Sequence, residues 1–175
     1  EWIPQYIIKD FKFDLEDQIK DENFLSLTYL ADDKTKKKSI IENFFLFLDS
    51  YKKWYGILKN KKCDHRFKQA KVRILNKIEV SISRIEDGIK LLAKNDEVFS
   101  AFKLANEAML RQMAYSDRKE KGIEEEAAGK KIDFFSLNNF KWRPFQLAFQ
   151  LLSIESLVNE KSDFRETVDL IWFPT

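Results

Sequence analysis

One cysteine and one histidine are all that the chain holds of the two residue types that most often staple or metallate a small domain. Cys63 has no second thiol to pair with, so no internal disulfide can form. With only His65 near it, it falls short of the four ligands of a structural zinc site, and both residues are read as structural or incidental. Long apolar runs are missing as well. No stretch approaches the roughly 20 residues that span a bilayer, so no membrane partner is expected. The start at Glu1 shows neither a basic n-region nor an apolar h-region, which argues against a signal peptide. The expectation is an internal stretch of a longer cytoplasmic protein.

What is present is enough for a globular body. The 175 residues, 44% of them hydrophobic, can hold one domain or a domain with part of another. The net charge of +2 conceals a strong asymmetry. Residues 1–33 carry 3 Lys/Arg and 9 Asp/Glu, a balance of −6, whereas residues 34–73 carry 13 and 3, a balance of +10. A basic block of that size suits phosphate or an acidic partner, and Lys36, Lys37, Lys38, Lys52 and Lys53 are the candidates for contact with nucleic acid. The plainer alternative is a solvated lysine-rich helix face.

Periodicity predicts a mainly helical chain. After an apolar opening broken by Pro4, Phe11, Phe13 and Leu15 alternate with polar residues, as in a short extended segment. Leu25 to Leu30 reads either as a short strand or as the start of a helix. From Lys36 to Leu58, apolar residues from Ile40 to Tyr55 recur at three- and four-residue steps, the mark of an amphipathic helix. Tyr51, Trp54 and Tyr55 among lysines could stack on bases, but their spacing serves core packing equally well. From Asp64 to Ala93 a seam runs through Phe67, Ala70, Ile74, Ile78, Ile82, Ile85, Ile89 and Leu92, leaving Arg73, Lys77, Arg84 and Lys90 outside it. Gly88 within that seam points to close approach of another helix. Asn95-Asp96 should end this helix and cap the next, from Glu97 to Tyr115, with Val98, Phe102, Ala105, Met109 and Met113 facing inward and the two helices forming an antiparallel hairpin. Ser116 to Lys131 reads as a flexible linker, and its Glu124, Glu125 and Glu126 as solvated loop residues.

Beyond the linker the chain changes character. Phe134, Phe135, Phe140 and Trp142 precede Arg143-Pro144-Phe145-Gln146, where a helix should start at Pro144. A glutamine amide donates and accepts at once, matching the N6 and N7 edge of adenine. Thr167 to Thr175, rich in β-branched and aromatic residues, has the form of a buried strand.

The pairing of Arg143-Pro144-Phe145-Gln146 with Asp169-Leu170-Ile171-Trp172-Phe173-Pro174-Thr175 resembles the approach to the motor of superfamily 2 helicases and translocases. With the run from Ala101 to Gln112, it is most similar to the large helicase-like proteins of DISARM anti-phage defence systems, over roughly residues 70–175. The resemblance implies that Gln146 contacts adenine, that Arg143 with Phe140 or Trp142 supports it, and that Thr175 opens the phosphate loop. The glycine-rich loop itself, its lysine and its hydroxyl residue are absent from the chain, as are the other ATPase motifs. ATP and Mg2+ are therefore expected in the parent protein, with none bound by this stretch alone and no catalytic residue within it.

The expected layout is a mainly helical accessory domain at 1–115, the linker at 116–131, and at 132–175 the first helix and strand of a truncated RecA-like α/β lobe. The expected role is that of a fragment of an ATP-dependent DNA helicase or translocase in anti-phage defence, its helical region contacting DNA or a partner subunit. The alternative is a non-enzymatic helical module for protein–protein interaction.

Overall fold

In the computed structural model, which describes residues 22–121, 133–137 and 140–170, the described residues form five α-helices. They are α1 (Leu27–Ala31), α2 (Lys37–Asn60), α3 (Lys68–Lys94), α4 (Asp96–Glu120) and α5 (Pro144–Val158). Short 3-10 turns occupy Glu22–Leu25, His65–Phe67 and Phe134–Ser136. The extended opening, Glu124 to Glu126 and Ile171 to Thr175 lie outside the described residues. None of the described helices is long and apolar enough to cross a membrane.

Local chemistry sets the helix ends. Asn95 closes α3 by donating its N–H to the Leu91 carbonyl at 2.9 Å, and opens α4 by accepting from the N–H groups of Glu97 and Val98 at 2.9 and 3.1 Å. The sequence predicts this double role. At the end of α2, Lys71 of α3 donates to the carbonyls of Lys59 and Lys61 at 2.8 and 2.6 Å, placing a cation on the negative end of the helix dipole.

The main core lies where parts of all five helices or their flanks converge. Phe24, Leu25 and Leu30 meet Ile40, Phe44 and Leu48 of α2, Ile82, Ile85, Ile89 and Leu92 of α3, Phe99 and Phe102 of α4, and Leu147 and Leu151 of α5. A smaller cluster joins Leu27, Leu110, Ala114 and Phe134. The long antiparallel pair is α2 with α3, tied across by Lys52 and Glu86 at 2.7 Å. The predicted pairing of α3 with α4 is much less extensive, because α4 turns to pack on α1. Accordingly, the buried face of α4 is Phe99, Phe102, Asn106, Leu110 and Ala114, rotated from the predicted one, and Ala105 is exposed.

Gly88 seats α5 on α3. A Cβ built at Gly88 would overlap the Leu151 carbonyl oxygen and come within 3.0 Å of its carbon, so only glycine admits this approach. The close contact that the sequence suggests is therefore made with α5, which follows the predicted linker yet shares the core of α2 and α3.

Two predictions about the ends of elements change. α4 continues to Glu120, five residues into the predicted linker. Residues 167–170 carry no strand, and Val168 and Leu170 are 93% and 84% exposed. A strand buried on both faces needs neighbours in a sheet. Among the described residues, β structure is limited to a single antiparallel bridge between Ser26 and Lys141.

Candidate functional site

That bridge is the lower edge of the region where the sequence places adenine recognition. The Leu27 N–H donates to the Phe140 carbonyl at 3.0 Å and the Trp142 N–H to the Leu25 carbonyl at 2.8 Å, so residues 140–142 are laid beside the start of α1. Arg143 then stands at the N-cap of α5, exposed, with Pro144 in the first turn, where its missing N–H breaks no helical bond. The Gln146 carboxamide oxygen turns back to accept from the Arg143 N–H at 2.9 Å. This is one half of a capping box. Arginine has no acceptor, so the reciprocal half from its side chain cannot form. The amide oxygen keeps a second lone pair, and capping alone does not exclude a further ligand.

Trp142 is held by a polar contact to α4. Its indole N–H donates to the Asn106 side-chain oxygen at 2.7 Å, and the Asn106 amide donates to the Phe102 carbonyl at 2.8 Å. Asn106 is only 1% exposed, and the indole packs against both hydrophobic clusters. Trp142 is thus an anchor that fixes the entry to α5. Phe140 also packs, half-buried, on the smaller cluster. Replacing Asn106 with leucine should lower stability by about 1–3 kcal/mol in chemical denaturation, because it leaves the part-buried indole N–H and the Phe102 carbonyl without the Asn106 side chain as partner.

The predicted nucleic-acid lysines form two groups. Lys36, Lys37 and Lys38 sit at the start of α2, and Lys52 lies 15 residues beyond Lys37, or roughly 22 Å along the helix axis, with Lys53 next to it. Lys37 pairs with Asp96 at 2.7 Å and lies over the Phe99 ring, and Lys38 approaches Glu42 at 3.8 Å. Lys52 pairs with Glu86, which Lys90 also reaches at 2.8 Å, and hydrogen bonds from these two lysines hold the Glu86 carboxyl below its ordinary range. Of the aromatic trio, Tyr51 and Tyr55 pack against the core, while Trp54 is exposed with its ring stacked 5.5 Å from Tyr51.

The arrangement that the sequence does not reveal is the pairing of Arg84 on α3 with Asp169 beyond α5. Arg84, expected outside the seam, is buried and holds both oxygens of Asp169 at 2.7 and 2.6 Å, with its guanidinium 4.4 Å from the centre of the Phe164 ring. This clamp fastens to α3 the segment that leads toward Thr175, a residue outside the described set. Its only sequence trace is Asp169, a lone acid in an apolar run. Among the described residues, no group of three or more His, Cys, Asp or Glu is placed to hold a metal ion.

Over 185 aligned positions the chain is 33% identical to the DISARM protein DrmA of Bacillus paralicheniformis, a match that takes in 99% of this chain and 16% of that protein. The chain is thus similar, over nearly its whole length, to one stretch of a DISARM protein. No family model matches it. The similarity to DrmA extends across the helical core as well as the α5 region, further than the motifs alone indicate. The chain spans about one-sixth of the length of this curated relative.

Proposed function

We propose that the chain is part of a DISARM anti-phage defence protein that works as an ATP-dependent DNA helicase or translocase. In this reading residues 1–115 form a helical region that contacts DNA or a partner subunit, and residues 132–175 open the ATPase lobe, seated on α3 through α5. The observation that carries the defence role is the similarity to DISARM protein DrmA over nearly the whole chain. The motor reading rests on Arg143-Pro144-Phe145-Gln146 at the first turn of α5, with Gln146 accessible and Arg143 exposed beside it.

The described residues do not make a nucleotide site by themselves. Trp142 is committed to Asn106, and nothing in the chain supplies a phosphate-binding glycine loop. ATP and Mg2+ would belong to the whole protein, with the phosphate loop following Thr175. Here Gln146 and Arg143 would supply only the adenine end. Lys36, Lys37, Lys38, Lys52 and Lys53 would meet DNA phosphate, with Lys37, Lys38 and Lys52 giving up their present carboxylate partners to do so.

The test uses the protein extended beyond Thr175. It should hydrolyse ATP in a DNA-stimulated, salt-sensitive manner. Gln146→Glu separates the two roles of this side chain. Glutamate at this position keeps the acceptor for the Arg143 N–H, and so the cap, but loses the donor for adenine N7. The variant should melt like the parent and bind ATP at least ten-fold more weakly. Unchanged ATP affinity would remove Gln146 from the site, and no ATPase activity with DNA present would end the motor reading.

A further inference from the structure

The α2–α3 hairpin is sealed at one end only. From Ile82 onward α3 is covered by its neighbours, but the same three-to-four seam continues toward its start, where among the described residues the end of α2 lies beside it. Phe67 and Ile74, both seam positions, are 57% and 55% exposed. Between the two helices lies an apolar groove of about 360 Å3 whose lining combines Leu58, Phe67, Ile74 and Leu75 with Lys61 and Lys62. Large apolar side chains left bare along a helix cost solvation without a packing return, and a contiguous strip of them marks an interaction surface.

The charge around the groove selects the occupant. Residues 51–80 carry ten Lys/Arg against two acids, Asp64 and Glu79, a balance of +8, and Asp64 is taken up by Arg66 at 3.1 Å. A second copy of this face would bring +8 against +8. A nucleic-acid backbone answers the charge but offers no apolar strip for Phe67 and Ile74. The complement of both features is a helix with an apolar stripe flanked by carboxylates.

We propose that the groove between the end of α2 and the start of α3 docks an acidic amphipathic helix of a partner protein. The stripe of the incoming helix continues the packing of the Phe67–Ile74 seam, and its carboxylates face Lys61 and Lys62. The proposal deepens the partner-subunit part of the functional reading above. It requires neither ATP nor DNA, so the ATPase result leaves it standing or falling on its own measurement.

Cys63, the only cysteine of the chain, is exposed in the lining of the groove and reports on it without mutation. The probe is a labelled peptide of about 20 residues, long enough to hold a helix, with leucines at three-to-four spacing and glutamates elsewhere. The full 175-residue chain is titrated into it by fluorescence anisotropy, and the alkylation rate of Cys63 is followed in parallel. The peptide should bind saturably and slow alkylation, and its lysine counterpart should do neither. Phe67→Ser with Ile74→Ser, and separately Lys61→Glu with Lys62→Glu, should each weaken binding ten-fold or more while leaving the helical circular dichroism intact. Absence of saturable binding overturns the proposal. So does binding that the lysine pair alone controls, a DNA oligonucleotide that protects Cys63 as well as the peptide does, or protection by the chain itself as its concentration rises.

Discussion

Gly88→Ala lowers the stability of the fold by about 2 kcal/mol, although glycine to alanine inside a helix ordinarily gains about 1 kcal/mol. Two effects compete at this position. Alanine restricts the unfolded chain and favours the helix, whereas its methyl group meets the carbonyl of Leu151 on α5. Backbone of a packed helix cannot swing aside as a side-chain tip does, so α5 as a whole must lift from α3 and the contacts of Leu147 and Leu151 loosen with it. Overpacking of this kind outweighs the propensity gain. Gly56 of α2 is the internal control, since nothing lies within 4 Å of a Cβ built there. Gly56→Ala should raise the urea midpoint and Gly88→Ala should lower it, with similar slopes. A rise in both would mean that α5 is not seated on Gly88.

The second large effect concerns Asp169. Removing one partner of a buried ion pair costs about 3–5 kcal/mol when the other stays buried. Asp169 lies near the chain surface, and water can reach Arg84 once the segment departs, so the cost of Asp169→Asn should be nearer about 2 kcal/mol. The change should be local. Residues 159–165 remain fixed to the end of α5, where Arg165 donates to the carbonyls of Ser156 and Leu157 at 3.0 and 2.6 Å and Ser162 donates to Glu155. Residues 166–170 should be released, seen as faster proteolysis and amide exchange there while the helices stay protected. The same clamp is acid-sensitive. The hydrogen bond from Arg84 holds the Asp169 carboxyl below its ordinary 3.8, against an opposing effect of burial. A depressed carboxylate contributes its stabilisation in full above the unfolded value and loses it as pH falls through the folded one. Docking should therefore be complete at neutral pH, weaken from about pH 4 downward, and show no such acid step in Asp169→Asn. An unchanged acid step in that variant would assign it to another carboxylate.

The helices of this chain are written plainly in its sequence, and their partners are not. The seam of α3, the shared cap at Asn95 and the proline start of α5 are local signals, each set by residues within a turn or two of the effect. The face of α4 is harder to read, because its buried positions include Asn106, a polar residue whose side-chain oxygen is satisfied by Trp142 from 36 residues away. Arg84 misleads in the same manner. A charge on a helix reads as solvent-facing unless its counter-charge is known, and Asp169 lies 85 residues further on. At the candidate site, the Arg143 and Gln146 placement follows from proline and capping chemistry, but the burial of Trp142 depends on tertiary contacts that no spacing reveals. The seam from Phe67 to Ile74 shows the converse: its periodicity predicts packing, and Phe67 and Ile74 stay exposed among the described residues.

The two backbone hydrogen bonds beside the Ser26–Lys141 bridge join residues more than a hundred positions apart. Closing a loop of that length in an open chain costs on the order of 4 kcal/mol of entropy, while two such bonds return about 1–3 kcal/mol. The bridge cannot hold itself shut. It persists because α5 is already seated on α3 and Trp142 in the core, so the register in which Arg143 and Gln146 are presented is dictated from Gly88, far along the chain from the residues it places.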